Sequence, residues 1–217
     1  PTAASTTRPG LPGAPGTPIA AVLGISSIAW TWDAAADAQA YKIFQASSPG
    51  TLITASTGPF ALFTGLSVNT PYGILVKAGN LMGEGALSGS ATAHTLAATP
   101  TTPIFGQVWT TSMTVAWSAT GNPTGTEFLA QVSPAGDFGT LVASSRTPNT
   151  YAVFTGLLPK TTYYLRVAAI NANAIATAFS PIESSTTRPG LPGAPGTPMG
   201  TALGVSSIAW TWSPAAD

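Results

Sequence analysis

Residues Gly65–Asn80 read GLSVNTPYGILVKAGN, and residues Gly156–Asn171 read GLLPKTTYYLRVAAIN. In each, a Gly-Leu pair is followed at the same spacing by a threonine (Thr70, Thr161) and a tyrosine (Tyr72, Tyr163). From the tyrosine onward, Tyr72, Ile74, Val76 and Ala78 alternate with their neighbours, as do Tyr163, Leu165, Val167 and Ala169. Period-two alternation puts one set of side chains on one face of a β-strand, and an apolar set marks a buried face.

The same rule holds outward from these strands. Ile28, Trp30 and Trp32 alternate with Ser27, Ala29 and Thr31, and Met113, Val115 and Trp117 alternate with small partners. Turn-forming clusters (Ser48-Pro49-Gly50, Gly58-Pro59, Asn122-Pro123 and Pro134-Ala135-Gly136) punctuate the chain. Their recurrence at roughly 8–12 residues is the spacing of a β-sandwich. Asp33–Tyr41, DAAADAQAY, comes nearest to a helical pattern, but it is short and lies between two strand patterns. The expectation is an all-β chain.

Internal repetition sets the organisation. STTRPGLPGAPGTP occurs at Ser5–Pro18 and again at Ser185–Pro198, and SSIAWTW at Ser26–Trp32 and Ser206–Trp212. Aligning residues 1–37 with 181–217 gives 27 identities. A weaker repeat lies inside this period: Thr17–Trp32 aligns without gaps on Thr102–Trp117. The period is therefore a pair of related modules. The divisions expected are residues 1–8 as the last-strand tail of a preceding module and 9–97 as a first-type module. Residues 98–188 follow as a second-type module, and 189–217 as the first strands of a further first-type one.

These residues resemble the fibronectin type III family over the whole chain. The resemblance rests on the strands ending in Trp32 and Trp117, the strands that follow from Tyr41 and Phe128, and the G-L-x-x-x-T-x-Y signature. VKAGN and VAAIN, closing at Asn80 and Asn171, complete it. It implies tandem immunoglobulin-like, seven-stranded sandwiches without disulfides, each with a corner tyrosine whose hydroxyl returns to the backbone a few residues upstream. Between modules, Leu96–Pro103 and Arg188–Pro198 are rich in proline, which favours extended polyproline geometry and semi-rigid spacers.

Composition excludes several classes of function. The 217 residues suit one large or two smaller domains, and only 6% are charged, with seven Lys/Arg against seven Asp/Glu. At zero net charge the chain has no electrostatic grip on nucleic acid or anionic lipid. Ile19–Ile25, the longest apolar stretch, falls far short of the roughly 20 residues that span a bilayer, so no membrane insertion is expected. Cysteine is absent and histidine occurs once, which removes thiol chemistry and leaves no His/Cys metal centre. With 44% hydrophobic residues and 23 Gly and 20 Pro, the chain can bury a core while turning often.

Candidate sites are sparse. Asp33 and Asp37 are paired carboxylates near a loop, but Asp33 becomes Ser213 in the next repeat, so solvated loop charges are the better reading than calcium. His94 has no partner in sequence that would make it a base. Glu84, Glu127, Asp137 and Glu183 are isolated. No Arg-Gly-Asp tripeptide is present, and the one Asn-x-Thr sequence, at Asn122, carries proline in the middle, which bars N-glycosylation. O-linked glycan on the many Thr and Ser is compatible with the sequence. No catalytic residue, cofactor or metal is expected.

The outward faces of the third and sixth strands of each sandwich give the expected contact surface. Lys42, Phe44, Leu75 and Lys77 in the first module, and Leu129, Gln131, Tyr164 and Arg166 in the second, point away from the core in this reading. Phe105 and Trp109 have no evident core role. Phe44, Leu75, Phe105, Trp109, Leu129 and Tyr164 are therefore the candidate self-association contacts. Such a low-charge surface favours association with its like. The expected function is a non-catalytic, extracellular or cell-surface repeat segment of a filament, stalk or sheath, whose partners are other copies of itself. An adhesin or carbohydrate-binding module and a spacer of a secreted polysaccharide-degrading enzyme are the alternatives.

Overall fold

The structure, a computed structural model, describes residues 10–215. The expected tail at residues 1–8 lies outside the described residues. Strands β1 (Ile19–Val22), β2 (Ile28–Thr31), β3 (Ala40–Gln45), β4 (Ser48–Ser56), β5 (Phe60–Phe63), β6 (Pro71–Asn80), β7 (Gly83–Leu87) and β8 (Ala91–His94) build the first sandwich. Its sheets run β1-β2-β5 and β4-β3-β6-β7, with β8 continuing on β6. Strands β9 (Ile104–Val108), β10 (Ser112–Ala116), β11 (Glu127–Ser133), β12 (Ala143–Thr147), β13 (Tyr151–Thr155), β14 (Thr162–Ile170) and β15 (Glu183–Thr186) repeat the plan. Their sheets are β9-β10-β13 and β12-β11-β14-β15. The described residues end in a hairpin of β16 (Met199–Gly204) and β17 (Ser207–Thr211), paired Met199↔Thr211 as β1 and β2 pair Ile19↔Thr31.

The alternating residues form the cores as expected. Ile28, Trp30, Trp32, Tyr41, Ile43, Ile74, Val76 and Ala78 are buried together in the first module. Met113, Val115, Trp117, Phe128, Val132, Tyr163, Leu165, Val167 and Ala169 are buried in the second. Each core is centred on an edge-to-face aromatic pair, Trp32–Tyr41 at 5.5 Å and Trp117–Phe128 at 5.8 Å. Asp33–Tyr41 forms a turn and the start of β3, with no helix.

Both corner tyrosines close as the resemblance implies. The Ser67 amide donates to the Tyr72 hydroxyl at 2.8 Å, and the Leu158 amide to the Tyr163 hydroxyl at 2.9 Å. The signature glycines Gly65 and Gly156 sit at φ 68° and 73°, in the left-handed region that only glycine enters without steric cost. Two buried threonines lock the same corner, unforeseen in the sequence. Thr95 Oγ1 accepts from the Thr70 amide and donates to the Ser67 carbonyl, and Thr187 Oγ1 does the same with Thr161 and Leu158. In each module a buried serine, Ser88 or Ser180, accepts from the amide of Val76 or Val167 where the last strand breaks.

The Pro-rich segment between the two modules, Leu96–Pro103, is not a free spacer. Ala97 and Ala98 are buried, and the Asn122 side chain accepts from the Ala98 amide and donates to the Ala98 carbonyl. The chain between the modules is thus stitched to the second one.

Candidate interaction surfaces

The third and sixth strands of the first module each carry a lysine. Lys42 on β3 and Lys77 on β6 are direct cross-strand partners. Glu84 on β7 answers both, with Oε1 2.5 Å from Lys42 Nζ and Oε2 3.5 Å from Lys77 Nζ. The hydrogen bond from Lys42 holds the Glu84 carboxyl below the usual glutamate range; desolvation opposes it, and the positive charges of Lys42 and Lys77 add to the lowering. In the second module Arg146 Nη1 lies 2.6 Å from Glu127 Oε1. Arg166 is clamped between two rings, Phe138 and Phe179, each with its centroid 4.0 Å from the guanidinium carbon, while its Nε donates to Gln131 Oε1.

The six residues expected as contacts differ in exposure. Leu75 is only 8% exposed and pairs across strands with the half-buried Phe44, whose ring lies 5.7 Å from Lys77 Nζ. Phe105 packs against the second core, because β9 turns that side chain inward opposite Val115. Leu129 and Tyr164 are half-buried, and the turn at Gly136 stands beside the Tyr164 ring. Of the six residues, Trp109 alone is a large exposed side chain, at 50%, with the Arg188 guanidinium 5.1 Å from its ring. The second module covers its own outward face with its own loop.

The uncharged surface is on the other sheet. No Asp, Glu, Lys or Arg occurs in β1, β2, β5, β9, β10 or β13. Ile19, Phe60 and Leu62 of the first module, and Ile104, Tyr151 and Val153 of the second, are each more than half exposed there. Cross-strand pairs Thr31↔Phe60 and Ala29↔Leu62 make the first set contiguous with Ile19 through Thr31. Ala116 joins Ile104 to Tyr151 in the second. The sequence signal was present: Phe60-Ala-Leu-Phe63 carries apolar residues on both alternating faces.

Where the modules meet, polar side chains are buried. Asn69 Nδ2 donates to Thr126 Oγ1 at 3.0 Å, and the Ala172 amide donates to Asn69 Oδ1 at 3.1 Å. Asn69, Asn122, Thr126 and Asn171 are each more than nine-tenths buried. A hollow of about 490 Å³ opens beside this junction, lined by His94, Glu127, Arg146 and Asn171 among others. Glu127 and Arg146 are engaged with each other there. Asp33 and Asp37 stay in the turn after β2. Among the described residues no three His, Asp or Glu side chains come together as a metal site, and no helix is long and apolar enough to cross a membrane.

Comparison with known proteins agrees with this architecture. The fibronectin type III domain family matches residues 98–185. Endoglucanase B of Cellulomonas fimi is 28% identical across 88% of this chain, and the chain spans only 20% of that relative. A two-domain fibronectin type III segment from chicken tenascin has the same fold at a TM-score of 0.52, with 15% identity, 79% of this chain covered and 97% of that segment. With the strand order, corner tyrosine and core of residues 98–185 repeated in the module before them, the chain has the fold of a tandem of fibronectin type III domains, and its second module matches that family.

Proposed function

We propose that this chain is a stiff, non-catalytic spacer in an extracellular modular protein of the polysaccharide-degrading kind. The observation that carries the stiffness is the Asn69 bridge, which ties the corner of the first module to two separate loops of the second. Such buried, satisfied amides fix one mutual orientation, since any hinge motion would strip them of partners. The polysaccharide-degrading context is supported by the similarity to endoglucanase B, of which this chain matches one fifth. Because the chain contains no cysteine, spin labels at Ser48→Cys and Asn149→Cys, both exposed sites, report the distance between modules directly. A single narrow distance distribution is expected, broadening in Asn69→Ala. A broad distribution in the otherwise unaltered chain overturns the reading.

A second reading, lateral association of copies into a filament, stalk or sheath, is favoured by the charge-free outer faces of β1-β2-β5 and β9-β10-β13. Exposed contiguous apolar surface marks contacts, and this face, not the one bearing Lys42 and Arg166, carries it. Sedimentation equilibrium decides: concentration-dependent association abolished by Phe60→Lys with Tyr151→Lys, and kept in Lys42→Ala, is the expected pattern. A strictly monomeric chain at millimolar concentration removes this reading and leaves the spacer intact.

A further inference from the structure

Proline recurs at every third position from Pro9 to Pro18 and again from Pro189 to Pro198. A polyproline II helix has three residues per turn, so such a spacing lines one side with proline. In the first copy that side is docked: Pro12, Pro15 and Pro18 are buried, whereas Leu11, Gly13, Ala14 and Thr17 are exposed. The receiving surface is glycine. Gly83 and Gly85 flank Glu84 on β7 and, by strand alternation, face away from it. A Cβ on Gly85 would overlap the Pro12 carbonyl oxygen, and one on Gly83 would stand 3.0 Å from Leu11 Cδ2. A Cβ on Gly89 would stand 2.5 Å from Thr17 Oγ1.

Hydrogen bonds hold both ends. Asn80 Nδ2 donates to the Gly10 carbonyl at 2.8 Å, and the Gly16 amide donates to the Asp33 carbonyl at 3.1 Å. The second copy keeps the latter contact, Gly196 to Ser213 at 3.0 Å. It has no β7 against it among the described residues, and its prolines are exposed, with Leu191 97% exposed.

We propose that the glycine face of β7 is a binding site for a proline-triplet strap, filled in the first module by residues 10–18, and that Arg188–Pro198 is a second ligand of the same kind. The strap is thereby part of the sandwich rather than a linker. In such an extended helix, at about 3.1 Å per residue, it runs from beside Asn80 to Gly89 and passes directly into β1. This assignment stands apart from the spacer reading, which rests on the junction beyond Asn69.

Among the described residues one strap is docked and its copy is not, which gives this 217-residue chain an internal comparison. Heteronuclear ¹⁵N relaxation on the full chain should give Leu11, Gly13 and Ala14 the values of the β-strands, and Leu191, Gly193 and Ala194 lower ones. Gly85→Val should bring the first set down to the second. Pro12→Glu with Pro15→Glu should do the same from the strap side without touching the sheet, which covers the case of a Gly85→Val chain that does not fold. Equal values at the two straps in the unaltered chain, or an unmoved Leu11 in the proline variant, overturns the proposal.

Discussion

Lys42 and Lys77 stand directly opposite each other across β3 and β6, two like charges on one face, and Glu84 on the neighbouring strand bridges them. Like charges in register destabilise a sheet pair, so the carboxylate matters more to this face than an ordinary surface ion pair does. Its contribution has a defined sign with pH. The folded-state value is lowered, chiefly by the Lys42 hydrogen bond. The stabilisation is therefore present above the ordinary glutamate value of about 4.3 and is lost as pH falls through the lowered one. A carboxyl titration by NMR should find Glu84 below the ordinary glutamate value. In Glu84→Gln the thermal midpoint of the first module should lose this part of its acid dependence.

The corner tyrosines make a paired prediction. Tyr72→Phe and Tyr163→Phe each delete one hydrogen-bond acceptor for a backbone amide, at Ser67 and Leu158. A cost of about 1 kcal/mol is expected for each, which moves the midpoint of a domain of this size by roughly 4–8 °C. Tyr163 is the more deeply buried of the two, so its loss should cost more. Urea unfolding of the two variants checks both the size and the order.

The six tryptophans divide by environment. Trp30, Trp32 and Trp117 are buried in the two cores, with indole N–H groups that have no partner, while Trp109, Trp210 and Trp212 are at least half exposed. Iodide should therefore quench one class of tryptophan emission and leave a blue-shifted class untouched. Trp210 and Trp212 repeat Trp30 and Trp32 in sequence, so the contrast is set by what packs on the hairpin, not by the hairpin itself. Replacing Trp109, Trp210 and Trp212 by Phe should abolish the quenchable class, and a residual quenchable signal would contradict the burial of the other three.

How much of this was legible in the sequence follows from the range over which each feature acts. The strands and both cores could be read because alternation is local: Ile28, Trp30 and Trp32 declare a buried face within five residues. The corner could be read because Gly65 and Tyr72 lie on one short segment. Long-range partners were not legible. Proline triplets announce an extended helix, but nothing in their spacing points to Gly85 as the surface that receives Pro12. Asn69 and Thr126 are ordinary polar residues until the junction buries them. The burial of Leu75, the packing of Phe105 against the second core and the half-burial of Tyr164 were not legible for the same reason. Tyr164 and Arg166 do point outward, but the loop carrying Phe138 folds back over them, and no local pattern records that.

Arg166 yields the last prediction. Both faces of its guanidinium are covered, by Phe138 and by Phe179, and its edge donates to Gln131. A planar, delocalised cation fits between two rings, whereas an ammonium does not, so lysine is not a conservative replacement here. Each stacked contact is worth about 0.5–1 kcal/mol where solvent has access. Arg166→Lys should therefore destabilise the second module by about 1 kcal/mol, with Arg166→Met recovering part of the packing without the charge. The same substitutions should release the loop around Phe138, which holds φ 56°, a conformation bulky residues rarely adopt unless their surroundings hold them there. Faster amide exchange at Phe138 and Gly139 in Arg166→Lys is the expected mark. Unchanged exchange would mean that the turn is held by its own backbone and that the stack merely rests on it.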